Sequence, residues 1–173
     1  VFLGEREVSG LPPSARARAG IGRAFQLTNL FPRLSVLENV RLVVQSRRGA
    51  GPSLFRSAAA MADVTGEALA YLDRTRLAAV AGLPASALPH GDQRKLEVAM
   101  LLAMEPSVFM FDEPTAGMSV DEAPVILDLI AEIRKDASRT ILLVEHKMDV
   151  VRALADRIVV LHNGELVADG RPD

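Results

Sequence analysis

Polar and apolar residues alternate along the chain with periods that predict helices in several places. Ser35 and Glu38, three residues apart, form a capping box, which predicts a helix start in front of the apolar residues of "VLENVRLVV". Two prolines followed by an Arg/Ala-rich segment predict a short helix from about Ser14. Apolar residues spaced three and four positions apart predict further helices over residues 61–77, 93–104, 124–135 and 148–155.

Strands are predicted where apolar residues are continuous or flank a tight turn. The runs at residues 108–111 and 140–145 are typical of strands that are covered on both faces. A brief strand is expected to end at Gln26, and Asn163-Gly164 between two apolar segments predicts a hairpin with a two-residue turn. Strands that alternate with helices favour an α/β fold with a parallel core sheet and a C-terminal hairpin.

The order of these segments divides the chain into parts. Gly, Pro and Ser gather at residues 47–53 and 82–91, which predicts a loop and a linker. Residues 34–87 are therefore interpreted as a helical insert in the α/β part. The first residue is Val1 and the first methionine is Met61, so we expect the natural start to be missing and the chain to be a fragment of a longer protein.

Composition narrows the possible partners. The 173 residues are 49% hydrophobic, enough for one sizeable core, and 20 basic residues against 22 acidic ones give a net charge of −2. This balance gives no reason to propose a nucleic-acid or anionic-membrane surface. No apolar run reaches the roughly 18–20 residues that cross a bilayer, and the absence of cysteine excludes disulfides and thiolate sites in these residues. We expect no nucleic-acid partner and no membrane insertion.

Two carboxylates, Asp112 and Glu113, directly follow the apolar run of residues 108–111. In open α/β sheets, ligands bind beyond the carboxyl ends of the strands. An aspartate there can hold Mg²⁺, and the adjacent glutamate can polarise a water for attack on phosphorus. A solvated turn is the alternative for an Asp-Glu pair, but the following Pro-Thr-Ala-Gly favours the functional interpretation.

Two further polar residues end predicted strands. His146 follows the run of residues 140–145, and its imidazole can donate a hydrogen bond to a γ-phosphate and to the attacking water. Gln26 can supply a carbonyl oxygen to Mg²⁺. The alternatives are a structural histidine and a solvent-facing glutamine. Because parallel strand ends meet at one edge of a sheet, both residues are candidates for the same ligand as Asp112.

A polar turn, His90 to Gln93, leads into the helix predicted over residues 93–104. A helix start offers free backbone N–H groups and the positive end of the helix dipole, so it can bind an anion. An ordinary N-cap role for Asp92 is the alternative. Arg94 and Lys95 are interpreted as part of a solvated face, as are the arginines of residues 15–23.

A phosphate-binding P-loop is missing from these residues. Its pattern is Gly-x-x-x-x-Gly-Lys-Ser/Thr. The only lysines, at positions 95, 135 and 147, follow Arg, Arg and His, so no Gly-Lys pair occurs. The anion that the turn at residues 90–93 faces therefore needs a P-loop from elsewhere.

Taken together, the motifs resemble those of the ATP-binding subunits of ABC transporters. Gln26 is similar to the Q-loop, "LPHGDQ" to the signature motif, "VFMFDE" to Walker B with its catalytic glutamate, "MSVD" to the D-loop and His146 to the switch histidine. The motifs occur in the family's order across nearly the whole chain. "FDEPTAGM" and "LLVEHKMDVV" further resemble the branched-chain amino-acid importer group, to which urea-type and lipopolysaccharide-exporting ATPases are close relatives.

The resemblance implies a P-loop NTPase-like (RecA-like) fold that is truncated at the N-terminus. Residues 1–33 would be the remainder of the N-terminal core with the Q-loop, 34–87 the helical subdomain, and 88–173 the signature helix and catalytic core. ATP and Mg²⁺ are the implied cofactors, with Glu113 and His146 catalytic and with Gln26 and Asp112 on the metal. The implied nucleotide-binding residues are Gln26, His90, Gly91, Asp92, Gln93 and Asp121.

The resemblance also implies partners and a location. Two ATP-binding subunits, alike or different, would meet head to tail, with each ATP between the P-loop of one and the signature helix of the other. Transmembrane permease subunits would contact the surface near residues 26–37 through a coupling helix. The chain would then be cytoplasmic and peripheral on the inner face of the cell membrane.

The sequence departs from the family pattern in two places. The P-loop is missing, so we expect the chain to hydrolyse ATP poorly on its own. Pro89 stands where the family has serine, and the lost hydrogen bond to a charged group is expected to cost about 1–3 kcal/mol. These departures leave open an ABC-like partner or regulatory module that lends a signature helix without catalysis. A soluble ABC-type ATPase of translation or DNA repair is a weaker alternative.

Overall fold

The predicted alternation of strands and helices is present in the fold. The structure is a computed structural model that describes residues 1–24, 30–49 and 58–172. The strands are β1 (Phe2–Leu3), β2 (Arg6–Glu7), β3 (Ile21–Ala24), β4 (Val108–Asp112), β5 (Thr140–Val144), β6 (Ile158–His162) and β7 (Glu165–Gly170). The α-helices are α1 (Pro13–Arg18), α2 (Val36–Arg47), α3 (Ala58–Arg74), α4 (His90–Ala103), α5 (Ala123–Arg134) and α6 (Met148–Leu154).

The central sheet is parallel, as the sequence predicts, with the strand order β3-β4-β5. Its middle strand, β4, carries the apolar run, and Phe109 and Phe111 are almost fully buried. The register pairs Phe111 with Ala24 of β3 and with Leu143 of β5. The carboxyl ends of all three strands therefore lie at one edge, where Asp112 is paired with Val144.

The expectation that β5 is covered on both faces is wrong. Ile141 and Leu143 pack against the core, whereas Thr140, Leu142 and Val144 on the other face are exposed. A continuous apolar run shows that a strand can be covered, but it does not supply the second layer. In the part of the chain that the structure describes, that face of β5 is open.

Helices α2, α3 and α4 pack on one another beside the sheet. Helix α2 begins as predicted, because Oγ of Ser35 accepts a hydrogen bond from N–H of Glu38 at 3.1 Å. Val40, Leu72 and Leu96 contribute to the core that the three helices share. Helices α3 and α4 each begin three residues before the predicted start. No described helix is long and apolar enough to span a bilayer.

The C-terminal strands β6 and β7 form the predicted antiparallel hairpin. Asn163 and Gly164 have φ values of 50° and 82°. Positive φ at both central residues is the requirement of a type I′ turn, and asparagine and glycine meet it at the lowest steric cost. Local turn chemistry therefore sets the pairing next to the turn, and the register shifts between Val160 and Leu161.

Candidate functional site

Two predicted catalytic side chains lie together at the carboxyl edge of the sheet. Glu113 follows β4, and its N–H donates to the carbonyl of Val144 at the end of β5 at 2.9 Å. His146 follows the same end of β5, and its Nδ1 lies 3.4 Å from Oε1 of Glu113. Both side chains reach solvent, being 68% exposed for His146 and 32% for Glu113. A carboxylate and an imidazole are thus presented side by side to a ligand above the sheet.

Asp112, the predicted metal ligand, lies at the same edge. Its Oδ2 accepts a hydrogen bond from the Arg23 guanidinium at 3.1 Å. The described residues contain no cluster of three acidic or histidine side chains that could hold a metal. A magnesium ion in a nucleotide site needs only one or two carboxylates, because phosphate oxygens and waters complete its shell. Asp112 fits that role, whereas Gln26 lies outside the described residues.

The backbone at Glu113 adopts a left-handed conformation, with φ of 45°. For a residue other than glycine, this region costs about 1–3 kcal/mol and persists only where surrounding contacts maintain it. Ala116 closes the turn by donating its N–H to the Glu113 carbonyl at 3.0 Å. We call residues 112–116 the reactive turn.

Arg94 contacts this turn from α4, and its interpretation as part of a solvated face is wrong. Its side chain is only 4% exposed. It donates to the carbonyl oxygens of Asp112 at 2.9 Å, Glu113 at 3.3 Å and Pro114 at 3.3 Å. Buried carbonyls require donors, and a long guanidinium supplies several at once. The sequence analysis missed this because a charged pair on a predicted helix is ordinarily assigned to the solvated face.

Glu145 is a second residue that the sequence pattern did not single out. Its side chain is 1% exposed. One carboxylate oxygen accepts from Oγ1 of Thr115 at 3.1 Å, and the other accepts from the backbone N–H of His146 at 3.0 Å and of Lys147 at 3.3 Å. It therefore joins the reactive turn to the backbone of His146. The only signal was an acid at the end of an apolar run.

Helix α4, which the sequence predicts to be the signature helix, begins at His90, and the interpretation of Asp92 as its N-cap is wrong. The N-cap is Pro89, in an extended conformation that lets the chain enter the helix but offers no side-chain acceptor. Asp92 lies in the first turn and pairs with Lys95 at 2.9 Å. Lys95 is 9% exposed, so it too is buried rather than solvated. Gln93 donates from its side-chain amide to the carbonyl of Leu88 at 2.9 Å.

The segment that was compared with the D-loop packs on the start of α4. Gly91 is buried, and a Cβ built on it would lie 2.3 Å from Oε1 of Glu122. Glu122 accepts from the N–H and Oγ of Ser119 at 3.0 and 2.8 Å and lies 3.7 Å from Nζ of Lys95. The hydrogen bonds from Ser119, helped by Lys95, lower the pKa of Glu122. Asp121 beside it is exposed.

The His90 ring lies close to Gly117, just before the same segment. A Cβ built on Gly117 would lie 3.2 Å from Cδ2 and Nε2 of His90, and Gly117 has φ of 72°. Glycine is required there both for the backbone conformation and for the close approach. Residues 90 and 91 thus contact the segment after the reactive turn directly.

A different polar cluster lies at the amino end of β4. Oε1 of Glu105 accepts from the Tyr71 hydroxyl at 2.7 Å, and the other carboxylate oxygen pairs with Arg47 at 2.5 Å. Arg139 donates to the carbonyls of Glu105 and Pro106 at 2.9 and 2.5 Å. This cluster borders a cavity of about 210 Å³ and ties α2 and α3 to the sheet.

Comparison with known proteins identifies relatives of this chain. The sequence family described as ABC transporter matches residues 2–116. The chain is 38% identical over 179 residues to the high-affinity branched-chain amino acid transport ATP-binding protein LivG of Salmonella typhimurium, covering 100% of the chain and 70% of that protein. BraF of Pseudomonas aeruginosa, which has the same description, is 36% identical over 180 residues, again covering 100% of the chain and 70% of that protein.

Solved structures agree on the fold. The dimeric post-hydrolysis ATP-binding cassette MJ0796, bound to ADP and Pi, superposes with a TM-score of 0.82 at 23% identity, covering 99% of this chain and 72% of that one. CbiO1 of Clostridium perfringens, part of an ABC transporter complex, superposes with a TM-score of 0.71 at 27% identity over 91% of this chain and 59% of that one. The sheet and the helices beside it therefore have the architecture of an ATP-binding cassette.

Proposed function

The chain belongs to the ABC transporter family, and from that premise we propose that it acts in an ATP-hydrolysing subunit that drives uptake of branched-chain amino acids or a similar small polar solute. The observation that carries the catalytic part is the placement of Glu113 and His146, 3.4 Å apart at the carboxyl edge of the sheet. The substrate class follows from the relatives, which are named for branched-chain amino acid transport.

Each residue at the sheet edge has a role in this proposal. Glu113 orients a water and accepts its proton as the water attacks the γ-phosphate. His146 donates to the γ-phosphate and steadies the Glu113 carboxylate. Asp112, with Gln26, holds Mg²⁺, which neutralises charge on the phosphates when bound. The Asp112 carboxylate, which contacts Arg23 in this structure, would be the group available to the metal.

The signature residues act on a different ATP. The start of α4, with Gly91, Asp92 and Gln93, faces the γ-phosphate of an ATP held by a second subunit, and His90 and Asp121 lie at the same subunit interface. The dimeric arrangement of a similar cassette supports this assembly. Residues 34–87 form the helical subdomain, which contacts permease subunits at the inner face of the membrane.

The proposal includes a limit on the 173 residues taken alone. With no Gly-Lys pair among them, they hydrolyse ATP poorly unless another segment or subunit supplies the P-loop. Pro89 at the N-cap offers no hydroxyl or N–H to a phosphate, which favours the alternative of a non-catalytic partner. The groups at Glu113 and His146 favour the enzyme.

The test uses the subunit as its own gene encodes it, assembled with the permeases encoded beside it. We expect Mg²⁺-dependent ATP hydrolysis and ATP-driven uptake of labelled leucine into vesicles. Glu113→Gln should lower hydrolysis by about 10²–10⁴-fold, the usual range for a general base, and leave ATP binding intact. Asp128→Asn, a change of an exposed acid on α5, is the control and should leave both ATP hydrolysis and ATP binding unchanged.

Two results would contradict the proposal in separate ways. A gene product that binds ATP but hydrolyses none, with or without Glu113→Gln, would establish the non-catalytic partner. Normal hydrolysis without uptake of any branched-chain amino acid, or of a comparable small polar solute, would leave the enzyme and overturn the substrate class.

A further inference from the structure

We propose that Arg94 is a positioning residue that holds the reactive turn, and with it the Glu113 carboxylate, in a fixed relation to the start of α4. In this proposal it acts through the backbone of residues 112–114. The inference rests on the proposed function for its effect on hydrolysis. The hydrogen bonds of Arg94 that support the inference lie within this chain and do not depend on that function.

Three hydrogen bonds of Arg94 go to the backbone of residues 112–114, which include Asp112 and Glu113. Its Nη2 donates to the carbonyls of Asp112 at 2.9 Å and Glu113 at 3.3 Å, and its Nε donates to Pro114 at 3.3 Å. Three successive carbonyl oxygens are thus gathered around one planar group. Their orientation fixes the peptide planes on both sides of Glu113, and these planes set the direction of its side chain.

The backbone at Glu113 has a particular need for such a group. Its φ of 45° lies where residues with a side chain are strained. Without the Arg94 guanidinium as a donor, the backbone of Glu113 can rotate toward an ordinary conformation. This rotation would move the Glu113 carboxylate away from His146. Arg94 therefore stabilises a conformation that the local sequence does not favour.

The position of Arg94 is itself well determined. Its Nη1 pairs with Oε2 of Glu97, one helical turn along α4, at 2.8 Å, and the two side chains are 4% and 7% exposed. A buried, charge-paired guanidinium has few alternative rotamers. Its Cα lies on α4, whose first turn carries Gly91 and Asp92, so the helix start and the reactive turn move together.

Lysine is not an equivalent residue at this position. An ammonium keeps the charge opposite Glu97, but it concentrates its donors at one atom and lacks the flat fork that spans three carbonyls. Arg94→Lys thus separates the charge of Arg94 from its geometry. Arg139 offers a matched control, because it also donates to two successive carbonyls, those of Glu105 and Pro106. These two residues precede the amino end of β4, whereas Glu113 follows its carboxyl end.

The first experiment compares Arg94→Lys and Arg139→Lys in the gene-encoded subunit assembled with its permeases. We expect Arg94→Lys to lower kcat by about 10²-fold, the cost of misplacing a catalytic group by roughly 1 Å, with KM for ATP within about two-fold of wild type. Arg139→Lys should leave both unchanged. An equal loss of kcat in the two variants, or a raised KM with normal kcat, would overturn the proposal.

The second experiment needs no hydrolysis and so separates this inference from the proposed function. Hydrogen exchange of the Ala116 amide, which donates to the Glu113 carbonyl at 3.0 Å, reports closure of the reactive turn. Arg94→Lys should accelerate this exchange by at least about ten-fold, and Arg139→Lys should not. Unchanged protection in Arg94→Lys would contradict the inference even if the wild type hydrolyses ATP. Faster exchange with an inactive wild type would support it while the proposed function fails.

A folding failure would not leave the question open. If Arg94→Lys proves unfolded by circular dichroism, Arg94→Met combined with Glu97→Leu removes both buried charges and keeps the volume apolar. The double variant should fold, lose Ala116 protection and lose kcat. Full kcat in that variant would exclude a positioning role.

Discussion

The two ends of β4 are built from the same parts in different surroundings. Each end has a Glu-Pro dipeptide whose glutamate has a positive φ, 47° at Glu105 and 45° at Glu113. At each end an arginine from another segment donates to the carbonyls of that dipeptide: Arg139 at the amino end and Arg94 at the carboxyl end. The same arrangement of a strained glutamate and an arginine donor therefore occurs twice, and the two ends differ in what surrounds it.

The surroundings differ in burial and in the direction of the glutamate side chain. Arg139 is 28% exposed and Arg94 only 4%. The Glu105 carboxylate is occupied by Tyr71 and Arg47, which ties the helices to the sheet. The Glu113 carboxylate points to the sheet edge beside His146. The Glu105 carboxylate is held by contacts within the protein, whereas the Glu113 carboxylate lies at the sheet edge, where we propose that it acts on a ligand.

The largest effect is expected where the arginine is buried. Arg94→Met leaves the Glu97 carboxylate in the interior without the guanidinium, and removing one partner of a buried ion pair costs about 3–5 kcal/mol. Arg139→Met removes a partly exposed group and should cost only about 0–1 kcal/mol. Urea unfolding of both variants at neutral pH measures the difference. Adding Glu97→Leu to Arg94→Met should recover most of the loss, and equal losses at the two ends would break the comparison.

A smaller effect is expected at the amino end, where the glutamate is held by its side chain. Tyr71→Phe removes the hydroxyl that donates to Glu105 at 2.7 Å. A hydrogen bond to a charged group in a partly exposed place is worth about 1–2 kcal/mol, and ATP hydrolysis should not change. Urea unfolding and steady-state kinetics on one preparation check both halves. A loss of kcat would show that the two ends are not independent.

The sequence predicted the parts of this comparison unequally. The capping box at Ser35, the Asn163-Gly164 turn and the parallel order of the strands follow from local patterns, and all three are present. The strand-end positions of Glu113 and His146 follow from the same reasoning. The burial of Arg94 does not, because a one-dimensional pattern assigns a charged residue to solvent and cannot show which distant carbonyls lack a donor.

Two other features were out of reach for related reasons. The Asp92 N-cap was a sound local interpretation, but the helix begins at His90 with Pro89 as its N-cap. Residues 90 and 91 lie close to Gly117 and Glu122, which come from far along the chain. The open face of β5 was missed because an apolar run carries no information about whether another layer covers it. Both errors concern packing between distant segments.

The effect of Gly91→Ala on the free energy of unfolding is expected to change sign with the residue at position 122. Gly91 lies in the first turn of α4 and packs on the segment that follows the carboxyl end of β4. Alanine inside a helix is normally more stable than glycine by about 1 kcal/mol, but a Cβ at Gly91 would lie 2.3 Å from Oε1 of Glu122. Gly91→Ala should therefore destabilise the wild type by displacing that carboxylate from Ser119. In a Glu122→Ala background the same change should stabilise by up to about 1 kcal/mol. Urea unfolding of the wild type, the two single variants and the double variant measures both effects of Gly91→Ala. An effect of the same sign in both backgrounds would refute this prediction.

The smallest expected effect is a pH dependence of the free energy of unfolding that comes from Glu105, near the amino end of β4. Burial raises the pKa of Glu105, but the hydrogen bonds from Tyr71 and Arg47 and the charges of Arg47 and Arg139 outweigh it and leave the pKa below its ordinary value. A carboxyl whose pKa is lower in the folded state stabilises the fold at pH above its ordinary value, and that contribution is lost as the pH falls through the folded pKa.

Glu105→Gln should therefore have a lower free energy of unfolding than the wild type at about pH 7, and the difference should shrink as the pH falls through the folded pKa of Glu105. Urea titrations at a series of pH values give the difference curve directly. In a Tyr71→Phe background the curve should flatten, since one cause of the lowered pKa is gone. A difference that stays constant from pH 7 to about 3 would mean that the Glu105 carboxylate is held by shape rather than by charge, and the contrast between the two glutamates would then rest on burial alone.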